Sequence, residues 1–250
     1  MGAGAYRVAV SDSPGSPSAA PIRVLLVDDQ DLFREGVRVI VDAQEGMEVV
    51  GTAGDGVQAV RLVDEISPDV VLMDIRMPEM DGVEATRQIC SPDRVARRHD
   101  QGRPPVRVVV LTTFNLDDRA ATAIQHGASG FLLKDTTPLM LRDAIRTVHA
   151  GNAVLAPQDL TSLLAGHFRA PLPTPAAYVG LTDKEREVFA AVARGLSNSE
   201  IASTIFASES TVKTHVGSIL RKLDLRDRVQ IVVYAHEHAL ISGRGAGGTS

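Results

Sequence analysis

Four short apolar runs between residues 22 and 133 each stop at a polar residue. Val70-Val71-Leu72-Met73 stops at Asp74, and Ile22 to Val27 stops at the pair Asp28-Asp29. Val108 to Leu111 ends in Thr112-Thr113, and Phe131 to Leu133 ends in Lys134. Short, almost wholly apolar runs are the pattern of strands covered on both faces, as in a parallel sheet. Open sheets of that kind collect their chemistry at the carboxyl ends of the strands. One aspartate at a strand end is more often a turn or helix cap than a site, and Phe131 alone would be an ordinary core residue. Four such ends in one chain require one sheet that brings acids, hydroxyl and lysine together.

The runs alternate with helical patterns. Strands are expected at Ile22–Val27, Met47–Ala53, Val70–Met73, Arg107–Leu111 and Gly130–Leu133. Helices are expected near Leu32–Val41, Val57–Ile66, Val83–Ile89, Asp117–His126 and Pro138–His149. Five β-α units predict an α/β fold, a five-stranded parallel sheet doubly wound with helices on both faces. Right-handed crossovers fix most of its topology. Ser91 to Pro105 is polar, Arg-rich and Pro-bounded without periodicity. It reads as an exposed loop at the amino-terminal edge of the strands, away from Asp74.

The division expected is a disordered tail at 1–20, the α/β unit at 21–150, a linker at 151–180, an all-helical unit at 181–240 and a disordered tail at 241–250. The first tail is rich in Gly, Ala, Ser and Pro and lacks the apolar core of a secretion signal. In the linker, Pro157 can start a short helix to Leu164, and Pro171 to Pro175 should be stiff and extended. No apolar stretch reaches the roughly 18 residues of a membrane span, so no membrane partner is expected. A single cysteine, Cys90, excludes an internal disulfide and fits a reducing cytoplasm. It reads as a small, buried residue at a helix end.

Charge is uneven. Residues 21–150 carry 15 Lys and Arg against 21 Asp and Glu, while residues 181–240 carry 8 of each. An acidic first unit suits cation binding. At an effective dielectric of about 20, two carboxylates about 4 Å apart repel by roughly 4 kcal/mol. Asp28, Asp29 and Asp74 can converge only with a cation among them or with raised pKa values. Hard oxygen ligands, few in number, point to Mg²⁺. Lys134 offers a fixed positive charge to a phosphoryl oxygen and Thr112 a hydroxyl donor. Asp74 is then a nucleophile of the kind that forms aspartyl-phosphates.

Asp28-Asp29, Asp74 with Met77-Pro78 and Gly82, Thr112, and Phe131-Leu132-Leu133-Lys134-Asp135 resemble the receiver domain of two-component response regulators. The resemblance implies the flavodoxin-like strand order 2-1-3-4-5. It implies that Asp74 accepts phosphate from a sensor histidine kinase. It further implies that Asp29, Asp74 and the backbone carbonyl of Arg76 ligate Mg²⁺ with help from Asp28, and that Lys134 contacts the phosphoryl group. Thr112 and Phe131 would be the switch pair.

In the helical unit Thr182 and Glu185 are spaced as a capping box. Ser199–Ile205 reads as a short helix, Phe206-Ala207-Ser208 as a tight turn, and Ser208 as the cap of a longer helix. That helix carries Val212, Val216, Ile219, Leu220 and Leu223 on one stripe. Ser210, Thr214, Gly217 and Arg221 fall opposite, with Lys213 at the flank. Two helices so joined form a helix-turn-helix, whose second helix suits a major groove. By periodicity alone a plain helical bundle with a solvated outer face fits as well, and His215 reads as a packed helix residue.

Leu181 to Val188, Gly195 to Ala202 and Thr211 to Val216 resemble the LuxR-type DNA-binding domain. The resemblance implies DNA contacts at Lys213 and Thr214. Members often carry a basic or polar residue where Gly217 stands, which leaves more of the grip to Lys213, Arg221 and Lys222. Receiver and helix-turn-helix together resemble the NarL/FixJ subfamily of response regulators.

The expected function is therefore a phosphorylation-controlled DNA-binding transcriptional regulator, not an enzyme. Its partners would be promoter DNA, a sensor histidine kinase and a second copy of itself paired through a helix at Arg226–His238 with Val229, Val232 and Val233. RNA polymerase is a further partner the resemblance admits. At rest the receiver would restrain the helix-turn-helix or present the wrong dimer surface. Two other readings stay open: regulation by dimerisation without phosphorylation, and an enzyme using Gly51 to Gly56 as a phosphate loop. That stretch lacks the GxxxxGK[ST] pattern and reads better as a strand-to-helix turn.

Overall fold

The computed structural model describes residues 20–113, 118–152 and 172–240. Five parallel strands form one sheet: β1 (Ile22–Val27), β2 (Met47–Ala53), β3 (Val70–Asp74), β4 (Arg107–Thr112) and β5 (Gly130–Leu133), in the order β2-β1-β3-β4-β5. The order reverses between β1 and β3, where open α/β sheets leave a crevice at their carboxyl ends. Asp28 and Asp74 lie at those two ends.

Strand side chains alternate between faces, and this splits the core in two. Val24, Leu26, Leu72, Val109 and Leu111 pack with Val37 and Val41 of α1 (Asp31–Asp42) and with Leu141, Ile145 and Val148 of α6 (Pro138–His149). Leu25, Val27, Val71, Met73, Val108 and Val110 pack on the other face with α2 (Gly56–Ile66), α3 (Gly82–Ile89) and α5 (Asp118–Gln125). The Gly51–Gly56 stretch is the end of β2 and a turn into α2, where the Asp55 carboxylate accepts from Gln58 N–H at 2.8 Å.

The segment Ser91–Pro105 corrects the loop expected there. Pro92–Asp100 is a helix, α4, with no buried residue. It has no apolar stripe, so periodicity could not reveal it. What favours it is a proline at its start, Asp93 in the first turn, and Arg97, Arg98 and His99 in the last. Arg94 pairs with Asp64 of α2 at 2.5 Å, and Arg98 donates to the carbonyls of Pro68 and Pro104.

The second unit is helical throughout: α7 (Ala176–Val179), α8 (Asp183–Ala193), α9 (Asn198–Thr204), α10 (Glu209–Lys222) and α11 (Arg228–Glu237). The short α7 falls in the stretch read as linker. The helix expected at Pro157–Leu164 lies outside the described residues, whereas Leu172 to Pro175 runs without helix or strand beside the end of α11. There Leu172 N–H donates to the Glu237 carbonyl at 2.8 Å. Thr182 with Glu185, and Ser197 with Glu200, form complete capping boxes. Phe189 is fully buried and meets Tyr178 and Tyr234 edge-on. The core of this unit is continuous with the α5 side of the sheet, and α11 packs on α5. No helix among the described residues is long and apolar enough to cross a membrane.

Candidate phosphoacceptor site and nucleic-acid interface

Asp74 is the last residue of β3 and pairs in register with Leu111 of β4. The chain after it must turn at once, and Gly82 is what allows this. Its N–H donates to the Ile75 carbonyl at 2.9 Å, and a Cβ there would overlap the Asp74 carbonyl. Asp28, Asp29 and Asp74 each place a carboxylate oxygen within 4.8 Å of the others. Asp28 and Asp74 are buried and Asp29 is exposed. Lys134 follows β5, and its backbone N–H donates to the Thr112 carbonyl at 2.8 Å. Its Nζ stands 2.7 Å from Asp28 Oδ2 and 3.1 Å from Asp74 Oδ2.

Burial pushes the Asp74 carboxyl above its usual range. Lys134 works against that push, Asp28 adds to it, and Arg76 N–H donates to the carboxylate. Burial alone would lower the Lys134 pKa, but its ion pairs with Asp28 and Asp74 outweigh this and raise it. The two acids and one ammonium leave a negative excess. Asp28 Oδ2, although within ion-pair reach of Lys134, has no partner in hydrogen-bond geometry. An under-satisfied buried carboxylate oxygen in a set of hard donors fits a divalent cation such as Mg²⁺. Thr112, at the end of β4, is buried. Phe131, on β5, is half-buried on the α5 side of the sheet.

The helix-turn-helix is α9, a turn in which Phe206 has φ 53°, and α10. Ser208 caps α10 by accepting from Thr211 N–H at 3.1 Å. Val212 and Ile219 are fully buried under it. Ser210, Lys213, Thr214, Gly217, Arg221 and Lys222 are all exposed. Lys222 is not a free cation, since its Nζ lies 2.6 Å from Glu185 Oε2. Ser218 Oγ also donates to Glu185, at 2.7 Å. These bonds, with Thr182 N–H, hold the Glu185 carboxyl down to about 2.

Sequence reasoning missed a set of residues between the two units. Asp227, fully buried, accepts from Ser129 Oγ at 2.7 Å and from Arg107 at 3.2 Å. Arg107 also donates to the Arg226 carbonyl at 2.8 Å, Arg226 donates to the Gly127 carbonyl, and Gln230 donates to the Ile124 carbonyl at 3.4 Å. The only local signal was that Asp227 precedes an apolar helix and caps it. Cys90 ends α3, half-buried, with its thiol 3.5 Å from the Gly127 carbonyl.

The family model for the response regulator receiver domain matches residues 24–146. The model for bacterial regulatory proteins of the luxR family matches residues 179–235. The transcriptional regulatory protein YxjL of Bacillus subtilis is 41% identical over 222 residues, covering 88% of this chain and 97% of that protein. LiaR, a transcriptional regulatory protein of the same organism, is 39% identical over 221 residues, covering 88% and 100%. Among solved structures, the response regulator ChrA of a heme-sensing two-component system is 32% identical, with 89% and 100% covered and a TM-score of 0.45.

Proposed function

The chain belongs to the two-component response regulators that join a receiver domain to a LuxR-type DNA-binding domain, and from that premise we propose that phosphorylation of Asp74 controls its action on promoters. Family membership makes it a DNA-binding transcriptional regulator. The observation that carries the finer reading is the buried Asp74 carboxylate, held 3.1 Å from Lys134 within a cluster of three acids.

The phosphodonor is the phosphohistidine of a sensor kinase. An Asp74 oxygen attacks phosphorus, the P–N bond breaks, and the imidazole leaves with the electron pair. Lys134 turns from its carboxylate partners to the phosphoryl oxygens. Thr112 offers its hydroxyl to the same group, and Phe131 moves into the space released. Asp28, Asp29, Asp74 and the Arg76 carbonyl are the residues that would hold Mg²⁺. When bound, it supplies positive charge against the incoming phosphoryl group. Nothing in the site requires another cofactor.

The DNA-reading face is Ser210, Lys213, Thr214, Gly217 and Arg221, all solvent-facing on one capped helix. The ion pair to Glu185 makes Lys222 a strut of the domain first and a phosphate contact second. α11 pairs the units of two chains, so that a two-fold dimer reads two half-sites about one helical turn apart. The functional units are 21–150 and 181–240, joined by 151–180, in a protein that works in the cytoplasm. RNA polymerase is the partner such a promoter-bound dimer would meet.

Incubation with acetyl phosphate and Mg²⁺ followed by peptide mapping tests the phosphoacceptor. One phosphoryl adduct on the peptide carrying Asp74, lost in Asp74→Asn, is expected. The absence of an adduct, with the protein folded, would favour regulation by dimerisation alone.

A further inference from the structure

Phe33 lies on the apolar stripe of α1 with Val37 and Val41, at the spacing of one buried helix face. That role asks only for an apolar side chain. The ring adds something to it, because Lys134 Nζ stands over its face, 4.8 Å from the ring centroid. The ammonium that meets Asp28 at 2.7 Å and Asp74 at 3.1 Å thus has a third neighbour, and this one is uncharged. The Lys134 side chain is only 8% exposed. An aromatic face attracts a cation through the ring quadrupole, and more strongly where water is excluded.

The ring is placed there by the start of α1. The helix begins at Asp31, just after the acid pair, and long helical side chains lean back toward the amino end. Arg34, the next residue, donates to the Asp28 carbonyl and to the Asp31 carboxylate. The first turn of α1 is therefore pinned to the strand end that carries Asp28, and ring and acid are held as one piece. Phe33 and Lys134 also border a groove of about 250 Å³ between α1 and the start of α6, lined by Val37, Ile40 and Leu141. No acid lines that groove, so the ammonium finds no substitute partner in it.

A ring suits this position better than the alternatives. A third carboxylate would hold Lys134 more tightly but would repel an incoming phosphoryl group. An aliphatic side chain would leave the ammonium to two acids, one of which is the reacting group. The ring holds the cation without adding charge.

We propose that Phe33 is a positioning residue for Lys134: its ring face keeps the ammonium beside Asp28 and Asp74, where the phosphoryl group arrives. The proposal rests on the reading of Asp74 as the phosphoacceptor.

The test uses the full chain. Phe33→Leu and Phe33→Met keep an apolar side chain and remove the ring, while Phe33→Tyr keeps the ring. Proton NMR of the cation-free protein reads the contact itself. The ε-methylene signals of Lys134, assigned by their absence in Lys134→Arg, should be shifted upfield by the ring in the parent and in Phe33→Tyr, and return in Phe33→Leu. With acetyl phosphate at saturating Mg²⁺, Asp74 attacks phosphorus, the P–O bond breaks and acetate leaves with the electron pair. That rate should fall about three- to tenfold without the ring and stay within about twofold of the parent in Phe33→Tyr. Mg²⁺ affinity should move the other way. The ammonium and the ion draw on the same carboxylates, so a loosely held ammonium competes less, and the ringless variants should bind Mg²⁺ about threefold more tightly. The proposal is overturned if the Lys134 signals do not move in the ringless variants, or if both are phosphorylated at the parent rate. It is equally overturned if rate and Mg²⁺ affinity fall together and Phe33→Tyr fails to restore them, the pattern of a packing role alone. If the parent itself takes no phosphate, the phosphoacceptor reading fails, and the NMR and Mg²⁺ measurements still decide whether Phe33 holds Lys134.

Discussion

At the scale of single residues, the acid site is a charge imbalance held in place by the fold. Two buried carboxylates share one ammonium, and the third acid faces solvent. Replacing Lys134 with methionine leaves both carboxylates buried and unpaired, a change that costs about 3–5 kcal/mol. Urea unfolding should show that loss, and added Mg²⁺ should restore part of it. Asp74→Asn acts in the opposite direction, removing a charge whose burial is unfavourable. The cation-free protein should melt a few degrees higher, and the response of its melting temperature to Mg²⁺ should disappear. Glu185 gives a pH signature. Its carboxyl, with the usual value 4.5, is held to about 2 by Lys222, Thr182 and Ser218. A depressed acid binds its proton less readily folded than unfolded, so its contribution is present above about pH 4.5 and is lost as pH falls toward 2. Melting of the helical unit across that range should fall more steeply for the parent than for Glu185→Gln. At the interface, Lys213→Ala should weaken binding to promoter fragments and reduce the slope of log affinity against log salt by about one unit. An unchanged slope would remove Lys213 from the phosphate contacts.

At the scale of elements, what was legible in the sequence followed from local physics. β1, β3 and β4 could be read because burial on both faces leaves continuous apolar runs, and the reading placed Asp28, Asp74 and Thr112 at the correct ends. Thr182 and Ser208 could be read as caps because capping is a relation between neighbours. Ser208→Ala should destabilise the helical unit by about 1 kcal/mol in thermal melts, and a smaller loss would mean that packing, not the cap, sets the start of α10. α4 was not legible: it buries nothing, and what holds it is Arg94 on Asp64 and Arg98 on two carbonyls brought near by the tertiary fold. The strand order came from a family likeness, since apolar runs do not say which strand lies beside which. The seam between the two units was the least visible feature. Arg107 and Asp227 are 120 residues apart in sequence, and nothing around either one announces the other.

At the scale of the whole molecule, two units that each look self-sufficient share one continuous core. Asp74 lies at the carboxyl ends of the strands, and the attachment of the helical unit is reached from their amino ends, at Arg107 and Ser129. In the proposed mechanism a small shift of β4 and β5 would act on both ends at once. Coupling of this kind is typically about 1–3 kcal/mol, enough to change a pairing equilibrium by roughly 5- to 150-fold. The direct measurement is titration of a promoter fragment, selected from the parent genome, with the full chain before and after acetyl phosphate treatment, Asp74→Asn serving as reference. Tighter, dimeric binding by the treated parent, with the Asp74→Asn protein unmoved, is the expected result. Equal affinity for all samples, with Asp74 shown to be phosphorylated, would contradict control of DNA binding through that residue.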